Sequence, residues 1–465
     1  RVAVVDSGIA LLHPDLTFQV LYNETEAEGE DGIDDDGNGL IDDLAGWDFF
    51  ADSPDMIDRG GHGTQVAGVI GAQTANSLGI SGICPTARII PIRVFDQWYK
   101  SGAIGGVGDV SSVTGALLYA DIRGAQVVNL SLGGYSFSNT DYLAIDYLNA
   151  SGVLVVAAAG NGGDDSIGDN NDTTPVYPAS YDLSNIIAVA AQDRSGGLAS
   201  FSNYGAASVD IAAPGTQIYA PDVTRSEVLR WDFDGEAPGW TTGSEPGNAS
   251  PYLWGIDDGG WLDDGSFENL YGNNTHTWAE SPLISLPDQF GTRLTLRIWT
   301  DLEEWFFGLF PEDFGYIEVS TDGYNWEVLA TLIGSTGDWI TKQISVPQLD
   351  GRSGYIRIRL LTDSFIGGGG IAVDWISISG TVIEDSLFNP DYTITQGTSF
   401  SAPIVSGVAA LILSERPDLT AFDVKAIIEA TAYPIDALTG YLKTGGMVDA
   451  HAALDLAKQF PVRDS

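Results

Sequence analysis

Three side chains of this 465-residue chain could together make a hydroxyl nucleophilic: Asp6 in Val-Val-Asp-Ser-Gly, His62 in Gly-Gly-His-Gly-Thr, and Ser399 in Gly-Thr-Ser-Phe-Ser-Ala-Pro. A serine attacks a carbonyl well only when a base takes its proton, and an imidazole does this best when a carboxylate fixes its tautomer. Each residue also has a plainer reading. Ser399 precedes an apolar run from Ile404 to Ile412, closed by Arg416-Pro417, so it could simply cap a helix. Asp6 could cap a helix or serve a loop, and a lone histidine at a helix start is usually structural. The set favours chemistry: Asp, His and Ser follow one another in a chain order known for hydrolytic triads, each beside glycine. Pro403 is expected in the opening turn of the helix after Ser399, where a missing N–H does no harm.

The elements that must carry these residues can be read from hydrophobic period. Residues 1–5 are apolar without alternation, which is the mark of a strand buried on both faces in a parallel sheet. Asp6 ends it, on the edge where open α/β sheets gather their ligands. Similar runs at 88–95, 126–132, 153–159, 186–191 and 208–213 alternate with helical patterns such as 110–122 and 142–149. That alternation predicts an α/β fold with a doubly wound, mostly parallel sheet. After one run comes Ala157-Ala158-Ala159-Gly160-Asn161-Gly162, whose small side chains would leave a cleft floor open to the Asn161 amide; an asparagine in a glycine turn is the plainer alternative. From 224 to 385 the period becomes two, with strands at 293–299, 315–320, 326–332, 339–346, 355–361 and 373–379. An all-β jelly-roll sandwich of roughly eight strands is expected there. The domains are thus 1–223 with 386–465, and 224–385 between them. A capped helix is expected from Thr420-Ala-Phe-Asp423, and a last one over 448–458.

Charge narrows the partners. Sixty-four acidic against 20 basic residues give a net charge of −44, which disfavours nucleic acid and anionic membranes. No run reaches the ~18 apolar residues of a membrane span. The single cysteine, Cys84, rules out an internal disulfide framework. The chain opens directly in a strand, so no secretory leader is expected within it. Acid is densest at 28–50, where Asp34, Asp36, Asn38, Gly39, Leu40 and Asp42 take the first, third, fifth, sixth, seventh and ninth places of a calcium loop, Leu40 through its carbonyl. Ala45 stands where an EF-hand needs its closing glutamate, and no helix precedes the loop. It reads as a calcium loop of another kind, against a merely solvated acidic turn.

The motifs around Asp6, His62 and Ser399, with Ser131-Leu132-Gly133-Gly134 and 157–161, resemble the subtilisin-like serine proteases. The likeness covers 1–222 and about 390–460. It implies that Ser399 attacks, His62 shuttles the proton, Asp6 orients the imidazole, and Asn161 with the Ser399 N–H holds the oxyanion. It also implies that Ser131, Leu132 and Gly133 face Ala158, Ala159 and Gly160 as two walls of the pocket for the residue before the cut. Such walls suggest a roomy pocket for apolar or aromatic residues. Asn76-Ser77-Leu78-Gly79 resembles the family's tight calcium loop, although the N-terminal arm that completes it is missing. Phe400 and Gln65 stand where many relatives carry Met and His. A secreted, monomeric, calcium-stabilised endopeptidase acting on polypeptides is the expectation. Its alternatives are an acyl transferase on the same fold, such as a ligase or cyclase, and a non-catalytic binding protein. The middle segment resembles jelly-roll modules of immune-inhibitor-type metalloproteases. By that likeness Asp234 and Asp374 are calcium candidates, and the module contacts substrate or a surface polymer.

Overall fold

Every residue of the strand Val2–Asp6 is buried. A strand with no wet face must be paired along both edges and covered on both sides. Ile89–Arg93 and Val127–Leu130 pair with it in parallel, one on each edge. The computed structural model describes residues 1–95, 97–100, 103–106, 110–163, 165–223, 225–233, 239–245, 254–256, 262–263, 275–286, 289–302, 313–362, 369–381 and 391–461. Within it Val2–Asp6 belongs to a nine-stranded sheet. From one edge the order is Trp47–Asp48, Ile89–Arg93, Val2–Asp6, Val127–Leu130, Leu154–Ala158, Ile186–Gln192, Ile211–Pro214, Gly446–Met447 and Tyr433–Pro434. All neighbours run parallel except the last pair.

Alternate residues of the first strand serve two cores. Val2 and Val4 pack with the helices His62–Gly71 and Thr398–Glu415, while Ala3 and Val5 pack with Val110–Ile122 and Asn139–Ala150. The sheet is therefore doubly wound, an α/β fold as its hydrophobic pattern implies. Thr398–Glu415 is long and apolar enough to cross a membrane, but 78% of it is buried inside this core. The helix Ala421–Ala430 starts on a capping box: Thr420 Oγ1 accepts from Asp423 N, and Asp423 Oδ2 accepts from Thr420 N.

The chain divides into two compact units, 1–97 with 106–224 and 383–465, and 98–105 with 225–382. The second unit is antiparallel. Its two longest strands, Phe290–Asp301 and Gly370–Thr381, pair in one sheet; Phe314–Ser320 and Ser353–Leu361 pair in the other. Leu294, Leu296 and Ile298 from the first sheet and Ile317, Ile356 and Ile358 from the second share one apolar core.

Candidate active site

Asp6 leaves the sheet at its carboxyl edge, beside the start of the helix that carries His62. Glycine makes the approach possible: a Cβ on Gly63 would lie 2.1 Å from the Gly8 carbonyl oxygen and 3.2 Å from Asp6 Cβ. His62 Nδ1 sits 2.7 Å from Asp6 Oδ1, with both side chains buried. A carboxylate can only accept, so Nδ1 carries the proton and Nε2 offers its lone pair. Among the described residues that Nε2 has no hydrogen-bond partner, and neither has Asp6 Oδ2.

Ser399 arrives from the other side, second in the helix Thr398–Glu415 after Gly397, whose φ of 140° suits glycine. The Phe400 ring meets the His62 ring edge-on, centroids 5.4 Å apart. Ser399 Oγ donates to the Ser131 carbonyl at 3.2 Å rather than to His62. Asn161 Oδ1 accepts from Thr398 N at 2.9 Å and from Thr398 Oγ1 at 3.0 Å. Those bonds leave its amide nitrogen without a partner among the described residues. The structure thus draws Asp6, His62, Ser399, Asn161 and Ser131 into one cluster built from adjacent strand ends and two helix starts.

Pro403 departs from expectation. It is the sixth residue of its helix, not part of the opening turn, so the Ser399 carbonyl loses the N–H it would have received four residues on. Ser131 Oγ donates to that carbonyl instead, at 2.7 Å. Asn129 Nδ2 donates to Ser131 Oγ, and Ser406 Oγ donates to Asn129 Oδ1. The proline's missing bond becomes a tie between the nucleophile turn and the neighbouring strand.

A second carboxylate underlies the histidine. Asp58 is buried and accepts from Ser7 Oγ (3.0 Å), Gly60 N (3.1 Å), Gly61 N (2.7 Å), Thr64 N (2.8 Å) and Thr64 Oγ1 (2.6 Å). It caps the His62 helix from outside, satisfying amides that no turn of the helix can reach. Ser7 Oγ also accepts from Gly63 N at 3.0 Å, so strand end, cap and helix form one network. Burial raises the Asp58 pKa against its hydrogen bonds from Thr64 and Gly61. For His62, burial pulls the pKa down, but the charge and hydrogen bond of Asp6, with a smaller contribution from Asp58, outweigh it and leave it raised.

Residues 1–246 and 367–455 match the subtilase family. The chain belongs to that family. It is 38% identical over 218 residues to the thermophilic serine proteinase of Bacillus sp. (strain AK1), covering 47% of this chain and 44% of that protein. It is 37% identical over 220 residues to thermitase of Thermoactinomyces vulgaris, covering 47% and 64%. The chain thus spans less than two thirds of the length of either relative. The structure of fervidolysin from Fervidobacterium pennivorans, a keratinolytic enzyme related to subtilisin, aligns with a TM-score of 0.49 at 23% identity, covering 99% of this chain and 42% of that one.

The remaining subtilase residues named from the sequence fall as follows. Ser131 and Ala158–Ala159 are buried, whereas Gly133 is exposed and Leu132 and Gly160 are half-buried. In the acidic loop, Asp34 turns its oxygens to the amides of Gly37, Asn38 and Gly39, and Asp42 turns both of its own to Gly32 N. Leu40 N donates to Asn38 Oδ1. Asp36 instead meets Glu26 and Asp43, with oxygens of all three within 4.8 Å of one another. Asn38 Nδ2 bridges Asp36 and Asp43, and Asp43 is anchored below by Tyr119 and Arg123. An all-oxygen set suits a hard cation such as calcium, but its carboxylates differ from the expected alternation because Asp34 and Asp42 are committed to the loop's own amides. Asn76 Nδ2 donates to buried Asp15, and its Oδ1 accepts from Leu78 N. Asp374 is ion-paired to Arg297 at 2.8 Å. Asp234 lies outside the described residues.

Sequence reading missed Asp58, Asn129, Ser406, Glu26 and Asp43. Asp43 had a signal, the Asp42-Asp43 pair, in which either residue could turn inward. Asn129 and Ser406 sit inside runs that read as wholly apolar, and a polar residue there is itself the clue that a buried partner awaits it.

Proposed function

We propose that this subtilase is a serine endopeptidase that cleaves polypeptides through an acyl-enzyme. The carrying observation is the buried Asp6–His62 pair, its Nε2 unpaired, beside the helix start that holds Ser399. Ser399 Oγ turns from the Ser131 carbonyl and gives its proton to Nε2 as its oxygen bonds the scissile carbonyl carbon. Asp6 steadies the imidazolium that results. The carbonyl oxygen, now negative, takes hydrogen bonds from Asn161 Nδ2 and the Ser399 N–H at the positive end of its helix. His62 returns the proton to the departing amine, the C–N bond breaks, and water repeats the sequence on the ester. Ser131–Gly133 and Ala158–Gly160 wall the site of the residue before the cut, which is apolar.

Calcium is the cofactor this reading implies, held by Glu26, Asp36 and Asp43, and its role is structural. We place the enzyme outside the cell, where such a carboxylate site stays loaded. Incubation with a fluorophosphonate tests the core of the proposal. A single adduct on Ser399, lost in Ser399→Ala, is expected; an unlabelled folded wild type contradicts it.

A further inference from the structure

Ser399 stands just past a two-stranded ribbon. Ile218–Asp222 pairs antiparallel with Asp391–Thr395, Ile218 opposite Thr395 and Asp222 opposite Asp391. Residues 225–382 of the second unit lie between these strands in sequence. Past Thr395 the pairing continues by one bond, Gly397 N donating to the Gly215 carbonyl at 2.8 Å, and Ser399 follows two residues on. The ribbon therefore sets where the nucleophile turn begins.

The ribbon is itself pinned. Tyr392 Oη donates to buried Asp15 at 2.9 Å, and its ring stacks on Tyr219 with centroids 5.5 Å apart. Against the ribbon lies the helix that opens on His62. A Cβ on Gly68 would come 2.3 Å from Pro221 Cδ, so helix and strand meet where the helix has no side chain. Three residues nearer His62, on a neighbouring position of that helix surface, Gln65 Nε2 donates to Asp222 Oδ1 at 3.0 Å. The two residues are only 6% and 7% exposed. Val223 N donates to the same oxygen at 2.9 Å. The acyl-transfer steps make no use of this buried bond.

We infer that Gln65 is a positioning residue of the triad: through Asp222 it holds the helix that presents His62 in register with the ribbon that delivers Ser399. The inference rests on the proposed endopeptidase activity and adds a residue to its machinery. Pro221 on Gly68 sets how closely helix and ribbon approach, but an apolar contact is non-directional and leaves the helix free to turn or slide. A hydrogen bond tolerates little misalignment and removes that freedom. Proton transfer from Ser399 Oγ to His62 Nε2 needs the two atoms within about 3.2 Å. A misplacement of about 1 Å, caused far from the chemistry, can cost roughly 10²-fold in rate.

The test measures kcat and KM of the full chain on one short peptide p-nitroanilide, with urea unfolding alongside. Gln65→Ala is expected to lower kcat roughly 10- to 100-fold with KM little changed, and to slow fluorophosphonate labelling of Ser399 by the same factor. Gln65→Met, which fills the space without a donor, takes its place should the alanine variant fail to fold. Asp222→Ala should lose as much, and the double change Gln65→Ala/Asp222→Ala no more than either alone. Asp222→Asn, which keeps the accepting oxygen, should recover most of the rate lost in Asp222→Ala. A folded Gln65 variant with wild-type kcat, even at lowered stability, overturns the inference, and so do losses that multiply in the double change. If wild-type Ser399 takes the fluorophosphonate, the endopeptidase reading survives that failure. If it stays unlabelled and no peptide is hydrolysed, both readings fall.

Discussion

In the α/β unit charge runs inward. Asp6, Asp58 and His62 are all buried at the carboxyl edge of the parallel sheet, and two of their polar atoms, His62 Nε2 and Asp6 Oδ2, have no partner among the described residues. In the sandwich the buried carboxylate Glu318 is paired with arginines. Glu318, 2% exposed, takes Arg357 Nε and Arg359 Nη2 at 2.7 Å each, and Arg357 also lies 4.0 Å above the Trp326 ring. On the other sheet Arg230 covers Trp375 at 4.4 Å and Arg297 pairs with Asp374. The sandwich uses arginine, aromatic ring and carboxylate to stitch strands together. The α/β unit leaves a basic nitrogen buried and unemployed, which costs stability and is the kind of cost a reactive site carries.

Substitutions can break this contrast. Glu318→Ala strips two arginines of their shared carboxylate, and breaking a buried pair costs about 3–5 kcal/mol. Urea unfolding should show that loss while kcat on a short peptide stays at the wild-type value. Asn161→Ala should do the reverse, lowering kcat by ~10²–10³, the range found for the oxyanion asparagine of subtilisin, with KM little changed. An Asn161→Ala enzyme of normal kcat would remove the α/β unit's claim to a preorganised site. Removing calcium should lower the melting temperature through the acidic loop. The loss is about 2.7 kcal/mol if the ion stood at 100 times its Kd, and Glu26→Gln should abolish the response to chelator.

The subtlest test concerns Asp58. Because the His62 pKa is raised, the neutral imidazole needed for attack is lost as pH falls through a value above the ordinary ~6.5. On stability the sign is opposite. The raised pKa contributes stability in full below the unfolded value, and that contribution is lost as pH rises through the folded one. Asp58→Asn removes one of the negative charges that raise it, so the acid limb of kcat/KM should move to lower pH. The lost cap should also cost about 1–3 kcal/mol in unfolding. A normal limb with lowered stability would make Asp58 a cap and nothing more.

Much of the fold was legible because its signals are local. Unalternating runs such as Val2–Val5 mark buried parallel strands, and the Thr420–Asp423 capping box marks a helix start to the residue. The strand Phe290–Asp301 outran its expected span, 293–299, because pairing with Gly370–Thr381 continues past the apolar alternation. Asp6, His62 and Ser399 stand out in the sequence because glycine lies beside each motif, and the structure brings His62 Nδ1 to 2.7 Å from Asp6 Oδ1. Asp58 does not stand out, because its role comes from a helix end and a strand end that meet only in three dimensions. In the acidic loop the register stays open in the sequence, since a period of two cannot say whether Asp42 or Asp43 turns inward.

The proposed peptidase requires Asp6, His62 and Ser399 to act as one device. The most direct measurement is a double-mutant cycle on kcat with His62→Ala, Ser399→Ala and the pair. Either single change should cost about 10⁶, and the double change no more than either alone, because a nucleophile without its base is already lost. Losses that multiply, or a Ser399→Ala enzyme that keeps its rate, would contradict it.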